Sequence, residues 1–121
     1  MTPVLLLVFN RPEKTKEVLK ALSKIRPSKL YVSCDGPRND SDREKIVQIQ
    51  LLLEKYVIWD VELVCRFDDK NCGCREGVLN GINWLFSQEE EGIILEDDCV
   101  PNKIFFDYVA ECLKRYRNKE E

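Results

Sequence analysis

Four short apolar runs alternate along the chain with four segments whose apolar residues recur at helical spacing. Val4 to Phe9 is apolar at every position, the pattern of a strand covered on both faces. Leu30 to Cys34 predicts a second strand and Val61 to Arg66 a third, with weaker alternation. Gly92 to Leu95 predicts a fourth. Between them, Val18, Leu19, Leu22 and Ile25 mark one helix, and Ile46, Ile49, Leu53 and Tyr56 a second. Val78, Ile82, Leu85 and Phe86 mark a third, and Phe105, Val109, Cys112, Leu113 and Tyr116 a last. Pro12 sits near the first turn of the first helix, Pro27 closes it, and Asn39-Asp40-Ser41-Asp42 is rich in N-cap residues for the second. The charged end, Arg117 to Glu121, is expected to fray.

This alternation predicts an α/β fold: a parallel, Rossmann-like sheet of about four strands with helices on both faces. In such sheets ligands sit beyond the carboxyl ends of the strands. The unusual polar motifs all fall there: Asn10-Arg11, Asp35-Gly36, Asp68-Asp69 and Glu96-Asp97-Asp98. A length of 121 residues accommodates one compact domain, and no repeat or linker divides it.

Composition narrows the chemistry. With 44% hydrophobic residues the chain is expected to fold, and a net charge of −3 gives no reason to expect nucleic acid or an anionic membrane. Residues 1–30 hold seven Lys/Arg against two acids, which reads as the solvated face of a helix. The six cysteines occur with no histidine, so imidazole triads and His-ligated zinc are excluded. No pair of Cys-X₂-Cys knuckles is present. Cys34, Cys65 and Cys99 fall in or at the ends of strands, where Cys packs as a small apolar residue. No leader peptide is readable and no segment approaches transmembrane length, so free thiols in a reducing cytoplasm are expected.

The richest stretch is Gly92-Ile93-Ile94-Leu95-Glu96-Asp97-Asp98-Cys99. Three acids at the mouth of a buried strand repel one another and lose hydration. A hard divalent cation such as Mg²⁺, or Mn²⁺, relieves both problems; a solvated acidic turn is the simpler alternative. Phe9-Asn10-Arg11-Pro12 carries no glycine-rich loop, which disfavours dinucleotide Rossmann proteins, P-loop NTPases and sugar-1-phosphate nucleotidyltransferases. Arg11 can pair with a phosphate or an acid, or simply open a helix. Asp35 can accept the N3–H of a uracil ring or form a turn with Gly36-Pro37. Gly73 and Gly77 flank Arg75 near a helix start, where glycine is costly unless a ligand or the sheet packs against the backbone.

In order and spacing, Phe9-Asn10-Arg11-Pro12, Ser33-Cys34-Asp35-Gly36, the Gly-Cys-Arg-Glu-Gly segment and Glu96-Asp97-Asp98 resemble the nucleotide-binding half of GT-A glycosyltransferases. The pattern is most similar to the N-acetylglucosaminyltransferase I group and family 2-like sugar transferases, from Val4 to about Tyr116. The resemblance implies strand order 3-2-1-4 and a donor site for a nucleoside-diphosphate sugar, with UDP-sugar favoured. It also implies roles. Asp98 would ligate Mn²⁺ or Mg²⁺ on the diphosphate, Asp97 would face the ribose or donor sugar, and Glu96 would orient the site. Asp35 would read the uracil, Arg11 would lie near base or phosphate, and Arg75 near the diphosphate. Residues 1–121 would be a single nucleotide-sugar-binding domain of a longer transferase, with the acceptor site and catalytic base lying elsewhere.

A non-catalytic remnant or regulatory module on the same fold is the alternative. A receiver-like phosphoacceptor is its specific form. Receivers need an acid pair after the first strand, and Phe9-Asn10-Arg11 lacks one. The implied order leaves the fourth strand at an edge, from which self-association is expected.

Overall fold

The computed structural model of the protein describes residues 2–101, 108, 109 and 111–113. Seven elements alternate: β1 (Val4–Val8), α1 (Pro12–Ile25), β2 (Lys29–Cys34), α2 (Asp40–Tyr56), β3 (Glu62–Phe67), α3 (Cys74–Gln88) and β4 (Ile93–Glu96). Their boundaries fall within a residue or two of those read from the apolar runs. One such shift matters: Glu96 belongs to β4 itself, so the acidic triplet straddles the strand end. Residues 108, 109 and 111–113 are helical; the rest of the last expected helix and the charged end lie outside the described residues.

The strands form one sheet of order β3-β2-β1-β4, every pair parallel. Leu6 lies between Val32 on one side and Leu95 on the other, and Leu7 between Ser33 and Glu96. β1 is buried at all five positions because its two faces meet different helices. Leu6 and Val8 join Val32 and Leu95 under Val18, Leu19 and Leu22 of α1 and Ile46, Ile49 and Leu53 of α2. Leu5, Leu7 and Tyr31 face the other way, under Leu85 of α3 with Val78 and Ile82 packed beside it. Each large apolar side chain so buried contributes roughly 1.5–3 kcal/mol. The partly buried Val109 and Leu113 pack against the α1–α2 side.

Local signals set the helix ends. Pro12 opens α1 where a missing N–H costs nothing, and Arg26 ends it in the left-handed region at φ 58°. Asn39 caps α2, its side chain accepting from the Asp42 N–H at 2.8 Å. On the α3 face, Tyr31 meets Trp84 edge to face with centroids 5.3 Å apart. The Tyr31 hydroxyl donates to Glu89, which also accepts from Lys29 Nζ at 3.1 Å. Burial and the hydroxyl's bond to Glu89 push the Tyr31 pKa up to about 12.

Two packing expectations are corrected. All six cysteines are free thiols, but of the three expected in or at the ends of strands only Cys34 is buried. Cys65 lies on β3, the edge strand that α2 covers incompletely, and Cys99 lies in the turn beyond β4. Phe86, read as part of the apolar stripe of α3, is 47% exposed: α3 turns Gly81 and Leu85 to the sheet, and Phe86 stands about 100° round the helix from Leu85. No helix among the described residues is long and apolar enough to cross a membrane.

α3 reaches the sheet through Gly81. A Cβ there would lie 2.8 Å from Leu7 Cδ2 and 2.9 Å from Ser33 Oγ, so the helix backbone sits directly on β1 and β2. Close helix-on-sheet packing therefore accounts for this glycine. Gly81→Val is expected to push α3 off the sheet and cost about 1–3 kcal/mol, read as a lower urea midpoint at unchanged slope. An unchanged midpoint would show that the seam yields freely.

Candidate functional site

The carboxyl ends of β1 and β2 and the first turn of α3 enclose a cleft of about 490 Å³. Leu7 and Ser33 form part of its floor; Phe9, Asn10, Arg11, Asp35 and Arg38 line the strand-end side, and Asn71, Gly73, Cys74, Gly77 and Val78 the helix side. It occupies the position the parallel topology assigns to ligands.

Asp35 is held rigidly. Its Oδ1 accepts from the N–H groups of Gly36 and Cys72, each at 2.9 Å. Its Oδ2 accepts from Asn71 Nδ2 at 3.2 Å, and the same amide nitrogen donates to the Gly36 carbonyl at 2.8 Å. The carboxylate thus ties the end of β2 to the loop before α3. Gly77 lets the helix approach it, since a Cβ there would stand 3.0 Å from the Asp35 carboxyl group. The Cys72 N–H is shared with Oδ2 at 3.2 Å, so Oδ2 is held by the longer bonds and is the oxygen that can exchange one of them for a ligand N–H, with no side chain to order.

A second carboxylate carries more weight than its place in the sequence indicated. Asp42, in the first turn of α2, has its side chain 3% exposed. It accepts from Asn10 Nδ2 at 2.9 Å, from the Arg38 N–H at 3.1 Å, and from Arg38 Nε and Nη2 at 2.8 and 3.4 Å. The bonds from Arg38 and Asn10 outweigh burial and hold its carboxyl well below the usual carboxylate range. The Arg38 guanidinium carbon lies 5.3 Å from the centre of the Phe9 ring. This cluster joins the end of β1, the loop after β2 and the start of α2.

The acidic triplet is divided by its strand geometry. Glu96 and Asp98 are exposed; Asp97 is 4% exposed and lies 3.1 Å from Arg11 Nη2. Burial raises the Asp97 pKa, Arg11 lowers it, and Asp98 and Glu96 raise it further. Desolvation wins because half-exposed Arg11 and the more remote Lys14 are opposed by two neighbouring acids. The Cys99 N–H donates to the Glu96 carbonyl at 3.1 Å and closes the turn that presents Asp98.

Of the residues singled out in the sequence, Arg11 and Asp35 line the cleft, and Asp97 adjoins it through Arg11. Glu96 and Asp98 lie at the neighbouring strand end outside the lining, and Arg75 is exposed on α3, also outside it. Arg38, Asn71 and the lock formed by Asn10 and Asp42 are the residues sequence reasoning missed. Asn10 stood in a noted strand-end motif and Asp42 in a noted cap, but no spacing rule joins positions 32 apart. At Asp68, Arg66 Nε donates at 3.1 Å while Arg66 Nη1 donates to the Asn80 carbonyl, which binds β3 to α3. Among the described residues no three acids or thiols stand close enough together to hold a metal ion by themselves. No family model, curated protein or solved structure matches this chain.

The lock generates a pH prediction. Asp42 has a folded pKa lowered below its unfolded value, so its stabilisation is present above the unfolded pKa of about 4 and is lost as pH falls through the folded one. Asp42→Asn is expected to melt lower than wild type at pH 7, with the gap narrowing below about pH 4. Paired melting curves from pH 7 to pH 2 check it; a gap independent of pH would show that the charge contributes nothing.

Proposed function

We propose that the chain is the donor-binding portion of a metal-dependent glycosyltransferase that takes a nucleoside-diphosphate sugar, with a UDP-sugar favoured. The observation that carries this reading is the cleft at the carboxyl ends of β1 and β2, with a preorganised Asp35 inside it and Glu96, Asp97 and Asp98 at the end of adjacent β4. The resemblance to GT-A transferases supplies the donor class.

In this reading the base enters beside Asp35, whose Oδ2, held only by bonds of 3.2 Å, accepts an imide N–H. The phosphates lie toward β4. Exposed Asp98 holds Mn²⁺ or Mg²⁺ together with the diphosphate oxygens. Such ions use one or two carboxylates plus substrate phosphates, so a protein cage of three acids is not required. The bound ion would offset charge developing on the diphosphate as the glycosidic bond breaks. Buried Asp97 pairs with half-exposed Arg11, and the pair orders the turn carrying Asp98. No residue here is assigned as the base, and sugar transfer would require an acceptor site in addition.

UDP is expected to bind weakly alone and at least tenfold more tightly with Mn²⁺, a gain of about 1.4 kcal/mol. Asp98→Ala should abolish the gain without altering the melting curve in the absence of ligand. Calorimetry with and without Mn²⁺ measures both; equal affinity of wild type and Asp98→Ala in Mn²⁺ would remove Asp98 from the site.

A further inference from the structure

Arg38 lines the cleft and has no role in the reading so far. Its side chain is 57% exposed, yet it is fixed at one edge and on one face. Nε and Nη2 bond to buried Asp42 along one edge, and the Phe9 ring lies under the guanidinium at 5.3 Å. Asn10 Nδ2 also holds Asp42, donating to its Oδ1 at 2.9 Å. Nη1 makes no hydrogen bond among the described residues. An exposed arginine ordinarily samples many rotamers, and one ordered in advance loses little entropy when a ligand arrives. Arg11, the other cation of the lining, is engaged by Asp97 instead.

Two observations indicate what Arg38 meets. The first is local charge. Asp42 neutralises Arg38, and Asp35 adds a further negative charge to the same cleft, so this end does not attract phosphate. It offers a flat cation with free N–H groups beside a fixed carboxylate acceptor, which suits a planar, neutral ring carrying both donor and acceptor edges. The second is placement. β2 and β4 flank β1, so their ends stand about 10 Å apart at ordinary strand spacing. A nucleoside diphosphate with its phosphates at the acidic end of β4 would bring its base to the end of β2.

Resting on the donor-site reading, we propose that Arg38 recognises the nucleobase, its guanidinium sandwiched between Phe9 and the base, with Asp42 and Asn10 as positioning residues. Selectivity for a base over a bare diphosphate then comes from the lock after β2 together with Asp35.

The test is calorimetry in Mn²⁺ with UDP and inorganic pyrophosphate as probes. Arg38→Gln is expected to weaken UDP about tenfold, within the range of a partly desolvated cation–π contact, and to leave pyrophosphate unchanged. Arg38→Lys keeps the charge but loses the plane, and should weaken UDP as much as Arg38→Gln. Asp42→Asn should weaken UDP by a smaller factor, again without moving pyrophosphate, an asymmetry that general loss of structure would not produce. Should Arg38→Gln fold poorly with Asp42 left unpaired, Arg38→Gln combined with Asp42→Asn removes the stranded charge and should show the same tenfold loss. UDP binding equal to wild type in Arg38→Gln and Arg38→Lys overturns this assignment while leaving the donor site in place. A parallel loss of pyrophosphate, rescued by Arg38→Lys, overturns it in favour of a phosphate contact. A wild-type protein that binds neither probe overturns the donor site and this assignment together.

Discussion

β1 is enclosed on four sides, and that enclosure organises the molecule. Its backbone bonds to β2 on one edge and β4 on the other, and its side chains alternate between the α1–α2 layer and α3. A parallel strand in that position needs an apolar residue at every step, and Val4-Leu5-Leu6-Leu7-Val8 provides it. Because β2 and β4 pair with β1 in parallel, all three strands finish at the same end of the sheet. The polar residues that follow each strand are thereby delivered to one place. The cleft is a product of sheet order and shared direction before it is a product of any individual side chain.

Two buried carboxylates at this end illustrate how environment divides chemically identical groups. Asp42 and Asp97 are both almost fully covered, and each faces an arginine whose side chain remains half exposed or more. Their pKa values nevertheless move in opposite directions. Asp42 has Arg38 at two side-chain nitrogens, the Arg38 amide and the Asn10 amide, so its anion is better solvated by protein than burial is costly. Asp97 has one arginine contact and two acids adjacent in sequence. The first carboxylate therefore serves as a fixed anchor. The second belongs to a turn whose charge is only partly answered from within the described residues.

The fold was legible in the sequence because the signals that specify it are local and redundant. The continuous apolar runs, the period-3.6 apolar patterns, Pro12 at a helix start and the N-cap residues from Asn39 to Asp42 all act within a few residues of themselves, and the seven elements from β1 to β4 appeared where they placed them. The sheet order was expected through the resemblance to GT-A transferases, and the observed β3-β2-β1-β4 agrees with it. Burial at the margins was less legible. Cys65 and Phe86 carry the same apolar chemistry as their buried neighbours, and only the extent of the covering helices distinguishes them.

For the site, the sequence by itself determined which residue types stand at the strand ends: Asn10 and Arg11, Asp35, and Glu96 to Asp98. It did so because strand ends are set by local pattern. Only the tertiary structure decided who faces whom. It placed Arg11 on Asp97, locked Arg38 with Asp42 and Asn10 against Phe9, and saturated most of Asp35 with the amides of Gly36, Cys72 and Asn71. These partners come from segments separated by up to 86 positions in the Arg11–Asp97 pair. A contact of that kind depends on the register and crossing of whole elements, and hydrogen bonding is directional, so no periodicity or composition along the chain encodes it.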